Sequence, residues 1–296
     1  SLHGSLLAAA GTLPMPVVTT LHTPPLPEMV TAHSEAREPR SEFLAVSEHT
    51  AQEWRDCGIE STVVPNSIDS DRWALGRGGP DWVWFGRIVP EKGTHLAIEA
   101  ARASGRRLVL AGRVGDVDYF ERFIEPMLDD SIRYVGSLRQ PALSRLVGRS
   151  SCALVTPLWD EPFGLVIAET LATGTPVAAF SAGGVPEVVA DSRGAALVPM
   201  GDVDRLADQL VALGGRQLAL ERRNFLLQRA DLLQHLGDPA LQLGRRGLQR
   251  AGGGCGQLVV HHHRVLVTDA GVGGVAGLGA VVLQLHLVGE VTGDDG

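Results

Sequence analysis

Short, uninterrupted apolar runs alternate with stretches of helical pattern from residue 16 to about residue 213. Such runs are typical of strands buried on both faces of a parallel sheet, because strands with one solvent-exposed face alternate apolar and polar residues. Strand–helix alternation indicates a doubly wound α/β fold. Ligands bind such sheets in the loops at the carboxyl ends of the strands. This rule directs attention to the loops after Phe85, Ala111, Val135 and Thr156.

The pattern predicts nine strands and six helices in this region. The strands are expected at residues 16–21, 43–46, 62–64, 82–85, 108–111, 132–135, 153–156, 176–180 and 196–198. The helices are expected at residues 93–104, 117–128, 141–149, 164–173, 185–190 and 202–213.

Three regions are expected along the chain. The glycine-rich segment LGRGGP, residues 75–80, predicts a boundary between a partial Rossmann-like domain, 1–75, and a complete nucleotide-binding domain, 76–215. From 216 to 296 glycine, glutamine, leucine and arginine recur without a helical or strand period, which predicts an atypical, poorly ordered tail. The chain starts with Ser1 and lacks a signal-peptide pattern, so we expect a truncation at its N-terminus.

Charge and cysteine content argue against several classes of protein. The formal net charge of −8 disfavours non-specific nucleic-acid binding, because little would neutralise a run of phosphates. Cys57, Cys152 and Cys255 have no paired spacing, so we expect free thiols in a reducing, cytoplasmic setting. The apolar run at residues 270–283 is too short and too rich in glycine to span a bilayer.

The segment FGRIVPEKG, residues 85–93, follows a predicted strand and opens a predicted helix. Gly86 and Gly93 allow the backbone to approach a ligand closely, and a helix N-terminus carries partial positive charge. Together with Arg87 and Lys92 this loop predicts a diphosphate clamp. Lys92 is the only lysine among 26 basic residues, which indicates either a position where arginine is unsuitable or a biased codon usage. Taken alone, these two cations could also be solvated surface charges.

The segment EPFGLVIAE, residues 161–169, joins a strand to a helix that is expected to begin near Gly164. The backbone N–H groups of Gly164 and Leu165 would point outward from the first turn. Glu161 and Glu169 could each accept hydrogen bonds from vicinal hydroxyls of a sugar or a ribose. The alternatives are a carboxylate favoured by the helix dipole, an exposed helical residue, or the acid pair of a glycosidase.

In combination these motifs resemble family 4 of the retaining glycosyltransferases, which have the two-domain GT-B fold. FGRIVPEKG looks like the phosphate-clamp motif of that family, and EPFGLVIAE like its E-x7-E motif. The segment GTPVAAFSAGGVPEVV, residues 174–189, is similar to the strand, turn and helix that follow. VPNSIDSDRW, residues 64–73, resembles the linker after the first domain, although the family more often has Gly where Ser67 stands. The likeness spans residues 16 to about 213.

The resemblance implies a role for each candidate site residue. Arg87 and Lys92, with Gly86, would bind the donor diphosphate, and Glu161 would bind hydroxyls of the transferred sugar near the reacting carbon. Glu169 would hold the ribose. The remaining assignments are the backbone of Phe163, Gly164 and Leu165 beside the sugar, the backbone around Tyr134 and Val135 at the base, and His22 of TLHTPP reaching the sugar from the first domain. Without the resemblance, His22 is interpreted as a loop histidine.

The implied activity is transfer of a hexose from a UDP- or GDP-sugar with retention of anomeric configuration. The leaving phosphate would help to deprotonate the acceptor, so neither a metal nor another cofactor is expected. The acceptor is left open as a sugar, a lipid-linked molecule or a small molecule, with a peripheral contact at the inner membrane face also open.

Four other functions are considered beside this one. The family's glycine-rich N-terminal loop and its usual last helix are not recognisable in the sequence, which leaves a nucleotide-sugar binding fragment without turnover as an alternative. A sugar-nucleotide epimerase or a phosphorylase would share the GT-B architecture. An oxidoreductase is disfavoured, because AGRVGDV at residues 111–117 lacks the full G-x-G-x-x-G pattern and the later acidic residue.

Overall fold

A computed structural model describes residues 17–34, 41–190, 192–215, 257–261, 264–268 and 281–283. These residues form two compact units. The first contains the residues up to Asn66 together with the strands between 257 and 283, and the second runs from Ser67 to Gly215. The predicted α/β class with parallel sheets is confirmed, and all nine strands predicted between residues 16 and 198 are present.

The first unit contains a four-stranded parallel sheet in the order β12-β1-β2-β3. Its strands are β1 (Val17–Leu21), β2 (Ser41–Ala45), β3 (Thr62–Val63) and β12 (Val281–Leu283), and its helices are α1 (Pro27–Ser34) and α2 (Glu48–Asp56). The core is built on Leu21, Phe43 and Trp54, all of which are buried. The indole Nε1 of Trp54 donates to the carbonyl oxygen of Thr23 at 2.9 Å.

Most of the predicted tail, 216–296, lies outside the described residues, so the prediction that it is poorly ordered stays a prediction there. Within it, β10 (Gln257–His261) and β11 (Arg264–Thr268) form an antiparallel pair, and β12 adds to the edge of the first unit's sheet. None of these strands was predicted from the sequence. Their segments QLVVH, RVLVT and VVL are rich in valine, a residue that favours strands.

The second unit is built on a six-stranded sheet in which every neighbouring pair is parallel. The strand order is β6-β5-β4-β7-β8-β9. The strands are β4 (Trp82–Phe85), β5 (Leu108–Ala111), β6 (Ile132–Tyr134), β7 (Cys152–Val155), β8 (Val177–Ser181) and β9 (Ala195–Pro199). This is the doubly wound arrangement in which the chain runs outward from β4 to β6 and then returns to β7 on the other side of β4.

The helices of the second unit follow the prediction closely. They are α3 (Thr94–Ala103), α4 (Gln140–Gly148), α5 (Leu165–Ala172), α6 (Val185–Val189) and α7 (Val203–Gly215). The helix predicted at residues 117–128 is present at 117–127 but changes from α-helical to π-helical to 3₁₀ geometry along its length. Pro126 lies in that last turn and lacks a backbone N–H for a regular helical bond.

The central strands of the second unit's sheet, β4, β5, β7 and β8, are buried on both faces, as the continuous apolar runs predicted. On β4, Trp82 and Trp84 belong to one core cluster, and Val83 and Phe85 belong to the cluster on the opposite face. Helices α3 and α7 pack together over the first of these faces. The sheet is thus fixed from both sides, which leaves the loops at its edges to form a site.

The division between the units lies after Asn66, earlier than the predicted boundary at residue 75. The glycine-rich segment 75–80 is packed onto the second unit instead of linking two domains. Gly76 N donates to the carbonyl oxygen of Thr173 at 2.9 Å, and a Cβ atom on Gly76 would overlap the carbonyl oxygen of Gly148. The glycines therefore serve close backbone packing, and the division falls within the segment that resembles the family linker.

Two of the three cysteines lie in the described residues, and both are free thiols as predicted. Cys57 is exposed, whereas Cys152 is fully buried in β7 and its burial raises the pKa of its thiol to about 12. Cys255 lies outside the described residues. Among the described helices, none combines the length and the apolar character needed to cross a membrane.

Candidate functional site

The strand order of the second unit reverses between β4 and β7, which are hydrogen-bonded neighbours. Loops that leave the carboxyl ends of two such strands diverge, and the crevice between them is where open α/β sheets bind ligands. Residues 86–93 follow β4 and residues 156–164 follow β7. These two loops, together with the start of α5, are called the switch-point site below.

The loop after β4 ends in a 3₁₀ turn, Pro90–Lys92, and Gly93 then begins α3 in the left-handed conformation with φ of 61°. Arg87 points its guanidinium towards Glu91, with Nη2 3.9 Å from Oε1, and both side chains are largely exposed. An exposed pair at this distance contributes little to stability. Arg87 is therefore able to turn towards an anion at little cost.

Thr156 joins the two loops of the switch-point site. Its buried hydroxyl lies 2.9 Å from the carbonyl oxygen of Gly93 and 3.1 Å from that of Lys92, to which it can donate. The same hydroxyl accepts from the indole Nε1 of Trp84 at 3.2 Å. The backbone N–H of Leu158 adds a bond to the carbonyl oxygen of Glu91 at 2.8 Å. These bonds fix the position of Lys92 relative to the loop that carries Glu161.

Lys92 and Glu161 form an ion pair across the crevice, although 69 positions separate them in the sequence. Lys92 Nζ donates to Glu161 Oε2, and the two side chains are 24% and 16% exposed. Trp159 contacts both groups: its Nε1 donates to the same carboxylate oxygen at 3.0 Å, and its ring centroid lies 4.8 Å from Lys92 Nζ. The site therefore holds a cation and an anion that are partly shielded from water.

The backbone of Glu161 is held by the loop after β8. Gly184 N donates to the carbonyl oxygen of Glu161 at 2.8 Å. Gly183 has φ of 56°, and a Cβ atom there would overlap the same carbonyl oxygen, so this close approach requires glycine. Gly164 precedes α5 with φ of 88° and provides no side-chain cap for the helix N-terminus. Helix α5 begins four residues after Glu161, and the partial positive charge of its N-terminus favours a bound anion.

Glu169 lies in the second turn of α5 and is half-buried. Desolvation raises the pKa of its carboxyl group from 4.5 to about 8, and the charge of Arg72 acts in the opposite direction. The carboxyl is therefore mostly protonated at pH 7. A neutral carboxyl can donate one hydrogen bond and accept others, which suits a ligand hydroxyl.

The loops after β5 and β6 continue the same edge of the sheet. Gly112, which follows β5, has φ of 148°, and a Cβ atom there would overlap the carbonyl oxygen of Gly86, so these two loops are also in contact. The Tyr134 hydroxyl donates to the carbonyl oxygen of Gly112 at 2.8 Å, so its proton is already engaged in a bond within the protein. Val135 N donates to the carbonyl oxygen of Leu110, and the Val135 side chain is exposed.

The structure gathers most of the predicted site residues at one edge of the second unit's sheet. They are Gly86, Arg87 and Lys92 in the loop after β4, and Glu161, Phe163, Gly164 and Leu165 in the loop after β7 and the start of α5. Tyr134 is the last residue of β6, which lies two strands from β4, and Val135 directly follows it. His22 directly follows β1 in the first unit, and its contact with a sugar stays a prediction.

Two residues of the switch-point site, Thr156 and Trp159, and Gly183 in the loop after β8 were not predicted from the sequence. Thr156 was assigned only as a strand end, and its hydroxyl bonds depend on a loop from another part of the chain. Trp159 carried a detectable signal, because a large aromatic residue two positions before a candidate carboxylate is suited to contact it. Gly183 lies in a glycine-rich turn that the sequence shows. Its contact with the backbone of Glu161 could not be predicted from the turn alone.

Comparison with known proteins shows which family the sequence of the second unit matches. The profile of the family described as Glycosyl transferases group 1 matches residues 68–218, about half of the 296-residue chain. A glycogen synthase of Mycobacterium tuberculosis is 33% identical over 175 residues, which cover 55% of this chain and 42% of that protein. A D-inositol 3-phosphate glycosyltransferase of Mycolicibacterium paratuberculosis is 34% identical over 166 residues, covering 53% and 37%. The chain thus spans about two-fifths of these relatives' length.

Solved structures show the same fold. Anabaena HepE, crystallised with UDP and glucose, superposes with a TM-score of 0.65 at 21% identity, covering 76% of this chain and 71% of that one. Sucrose-phosphate synthase from Thermosynechococcus elongatus has a TM-score of 0.62 at 19% identity, with coverage of 77% and 68%. At these identities the likeness concerns the fold alone.

Proposed function

Because the chain belongs to the group 1 glycosyl transferases, we propose that it moves a sugar from a nucleotide-sugar donor to an acceptor hydroxyl. One observation carries the proposal: Lys92 and Glu161 meet at the point where the strand order reverses, beside the N-terminus of α5. A diphosphate needs cations and a sugar ring needs hydrogen-bond acceptors. The switch-point site offers a cation in Lys92 and an acceptor in Glu161, and the two side chains are in contact.

In this proposal Lys92 and Arg87 bind the donor diphosphate. Lys92 reaches the crevice from a rigid loop, and Arg87 can leave its exposed contact with Glu91 at little cost. The N-terminus of α5 adds the partial positive charge of its N–H groups. Together these groups would stabilise the negative charge that grows on the leaving nucleoside diphosphate.

Glu161 then accepts hydrogen bonds from hydroxyls of the transferred sugar. Its backbone is held by Gly184, and its carboxylate faces Lys92, which supports a sugar position beside the diphosphate. A carboxylate next to the reacting carbon would also stabilise positive charge developing on the ring.

Glu169 is proposed to bind the nucleotide ribose. Its raised pKa makes the carboxyl mostly neutral at pH 7, so it can donate to one ribose oxygen and accept from another. The base would lie along the loops after β5 and β6, where the exposed Val135 offers its backbone and an apolar surface. The Tyr134 hydroxyl already bonds to Gly112, which favours backbone contacts over a contact from this side chain.

The finer features of the reaction are proposed from the family resemblance. They are membership of family 4, retention through a front-face mechanism without a metal or other cofactor, a sugar contact from His22, and a cytoplasmic setting. HepE was crystallised with UDP and glucose, which makes UDP-glucose the first donor to try. Relatives named glycogen synthase and D-inositol 3-phosphate glycosyltransferase make glycogen and inositol 3-phosphate the first acceptors.

The proposal is tested by the thermal stability of the chain with UDP-, GDP- and ADP-sugars. A ligand at 100 times its dissociation constant adds about 2.7 kcal/mol to the free energy of unfolding. Lys92→Ala and Glu161→Ala should each reduce that stabilisation and strongly reduce transfer. If no nucleotide sugar raises the melting temperature, or if both variants behave as the wild type, the proposed donor site is wrong.

A nucleotide-sugar binding module is the second candidate, because the chain spans about two-fifths of the length of the first relatives. The two candidates differ in product formation. Radiolabelled donor incubated with glycogen or inositol 3-phosphate should yield a labelled acceptor if the chain is a transferase. Stabilisation without any labelled product would favour the binding module, and donor converted to a different sugar epimer would favour an epimerase.

A further inference from the structure

Trp159 contacts both charged groups of the switch-point site. Its indole Nε1 donates to Glu161 Oε2 at 3.0 Å, and its ring lies beneath the ammonium of Lys92, with 4.8 Å between Nζ and the ring centroid. The side chain is half-buried in the loop after β7. The N–H of a half-buried indole can also bond to water. Here the N–H is directed at the carboxylate instead.

We propose that Trp159 is a positioning residue that holds the Glu161 carboxylate in place when a donor diphosphate draws Lys92 away. The proposal rests on the function proposed above and deepens it, since it assigns a role at the same site to a residue outside the two family motifs.

The carboxylate of Glu161 accepts hydrogen bonds from two side chains. Its Oε2 atom accepts from two donors, Lys92 Nζ and Trp159 Nε1. A diphosphate carries more negative charge than one carboxylate, and it competes with Glu161 for the single ammonium of Lys92. Once Lys92 turns to the phosphates, the indole N–H is the donor that stays on Glu161.

The remaining freedom of Glu161 is in its side chain. Its carbonyl oxygen accepts from Gly184 N at 2.8 Å and abuts Gly183, so the backbone cannot shift easily. The carboxylate can still rotate about its side-chain bonds. An indole has one N–H and no acceptor, so Trp159 holds the carboxylate without competing for the hydroxyls of a sugar. The carboxylate is thereby kept oriented towards the sugar.

The indole ring has a separate effect on Lys92. An ammonium over the face of an aromatic ring is attracted by the ring quadrupole. Trp159→Phe keeps an aromatic face but removes the N–H, whereas Trp159→Leu removes both. Comparison of the two variants therefore separates the effect on Glu161 from the effect on Lys92.

The test compares the affinities of UDP and UDP-glucose by titration calorimetry, or of GDP and GDP-mannose or ADP and ADP-glucose if only that base binds the wild type. Glu161 is assigned to the sugar and Lys92 to the diphosphate, so the ratio of the two affinities reports on Glu161. Trp159→Phe should bind the nucleoside diphosphate as tightly as the wild type. Its ratio of nucleotide-sugar affinity to nucleoside diphosphate affinity should fall about tenfold, as expected for one lost hydrogen bond to a charged group. Glu161→Gln should reduce the same ratio, and Trp159→Leu should also weaken binding of the nucleoside diphosphate.

Trp82→Phe is the matched control. Trp82 is fully buried at the opposite end of β4, so this variant lowers stability without touching the site. Its affinity ratio should equal that of the wild type. An unchanged ratio in Trp159→Phe, or an equal fall in Trp82→Phe, overturns the positioning role while the donor site stands. A wild-type chain that binds no nucleotide of the panel overturns the proposed function, and the role of Trp159 with it.

Discussion

Gly93 and Thr156 are in direct contact at the carboxyl-terminal edge of the second unit's sheet. The Thr156 hydroxyl lies 2.9 Å from the carbonyl oxygen of Gly93, and a Cβ atom on Gly93 would overlap the carbonyl oxygen of Thr156. Gly93 also has φ of 61°, which a residue with a side chain adopts at a cost. The two loops that carry Lys92 and Glu161 are therefore joined through a position that requires glycine.

Gly93→Ala should destabilise the chain and abolish its stabilisation by nucleotide sugars. The left-handed conformation alone costs an alanine about 1–2 kcal/mol, and overlap with the Thr156 backbone adds to that cost. The free energy of unfolding in urea, with and without ligand, measures both effects.

Gly105→Ala is a matched control for this substitution. Gly105 has the same φ of 61°, but a Cβ atom there would meet nothing within 4 Å. It should show the conformational cost and keep the response to ligand. Equal losses in the two variants would contradict a structural role for the contact between Gly93 and Thr156.

Thr156→Val should lower the free energy of unfolding by about 1–3 kcal/mol, the cost of leaving buried polar groups without a partner. The substitution preserves shape but leaves the Trp84 N–H and the carbonyl oxygens of Lys92 and Gly93 without the hydroxyl. Loosening of the loop that carries Lys92 should also weaken donor binding, which calorimetry measures. Thr156→Ser keeps the hydroxyl and should restore most of the affinity. A valine variant that binds donor as well as the serine variant would show that this hydroxyl does not position Lys92.

Lys92→Arg should weaken nucleotide-sugar binding even though the charge is unchanged. The ammonium fits between the Trp159 ring and the Glu161 carboxylate, and a planar guanidinium is wider and needs a different geometry. Affinity for UDP or GDP, measured by calorimetry, should fall by about tenfold or more, as one charge-assisted hydrogen bond contributes. Arg106→Lys, at an exposed position of the same unit, should change nothing. If Lys92→Arg binds the nucleotide as tightly as the wild type, codon usage is the better explanation for the single lysine of this chain.

The sheet of the second unit was predictable because its strands are buried on both faces. A run such as Trp82–Phe85 has no polar position, and its length and flanking loops predict a central parallel strand. The location of the site followed from the same reasoning, because parallel strands bring their carboxyl ends to one edge. Lys92 and Glu161 were predicted to serve the same ligand, and the structure brings them into contact.

Other features depend on contacts that sequence spacing does not contain. Helix α2 was missed because its segment EHTAQEWRD is largely polar, and what stabilises it is a Ser47 cap on Thr50 N together with the burial of Trp54. The bonds of Thr156 and Trp159 join loops that are distant in the sequence, so neither role could be read from one segment. The glycines between residues 76 and 79 predict a domain boundary, because close backbone packing and flexibility select the same residue.

The carboxyl group of Glu169 gives the stability of the chain a pH dependence. Its pKa is raised to about 8 by desolvation in the folded state, so the folded state binds this proton more tightly than the unfolded state, where the pKa is near 4.5. Stability contributed by such a group is complete below the lower value and is lost as the pH rises towards the higher one. The free energy of unfolding should therefore fall between pH 5 and pH 8, by an amount on the order of a few kcal/mol, since each pKa unit corresponds to about 1.4 kcal/mol.

Glu169→Gln should remove this part of the pH dependence, because the amide does not titrate. Urea denaturation at several pH values from 5 to 9 should show the variant gaining stability relative to the wild type as the pH rises. Glu121→Gln, at an exposed position, should keep the wild-type slope. A bound ribose would interact with the neutral carboxyl, so donor affinity of the wild type should also weaken above pH 8, while that of Glu169→Gln should be less sensitive to pH. Parallel profiles for the wild type and Glu169→Gln would show that this carboxyl is not desolvated, and its assignment to the ribose would lose its physical basis.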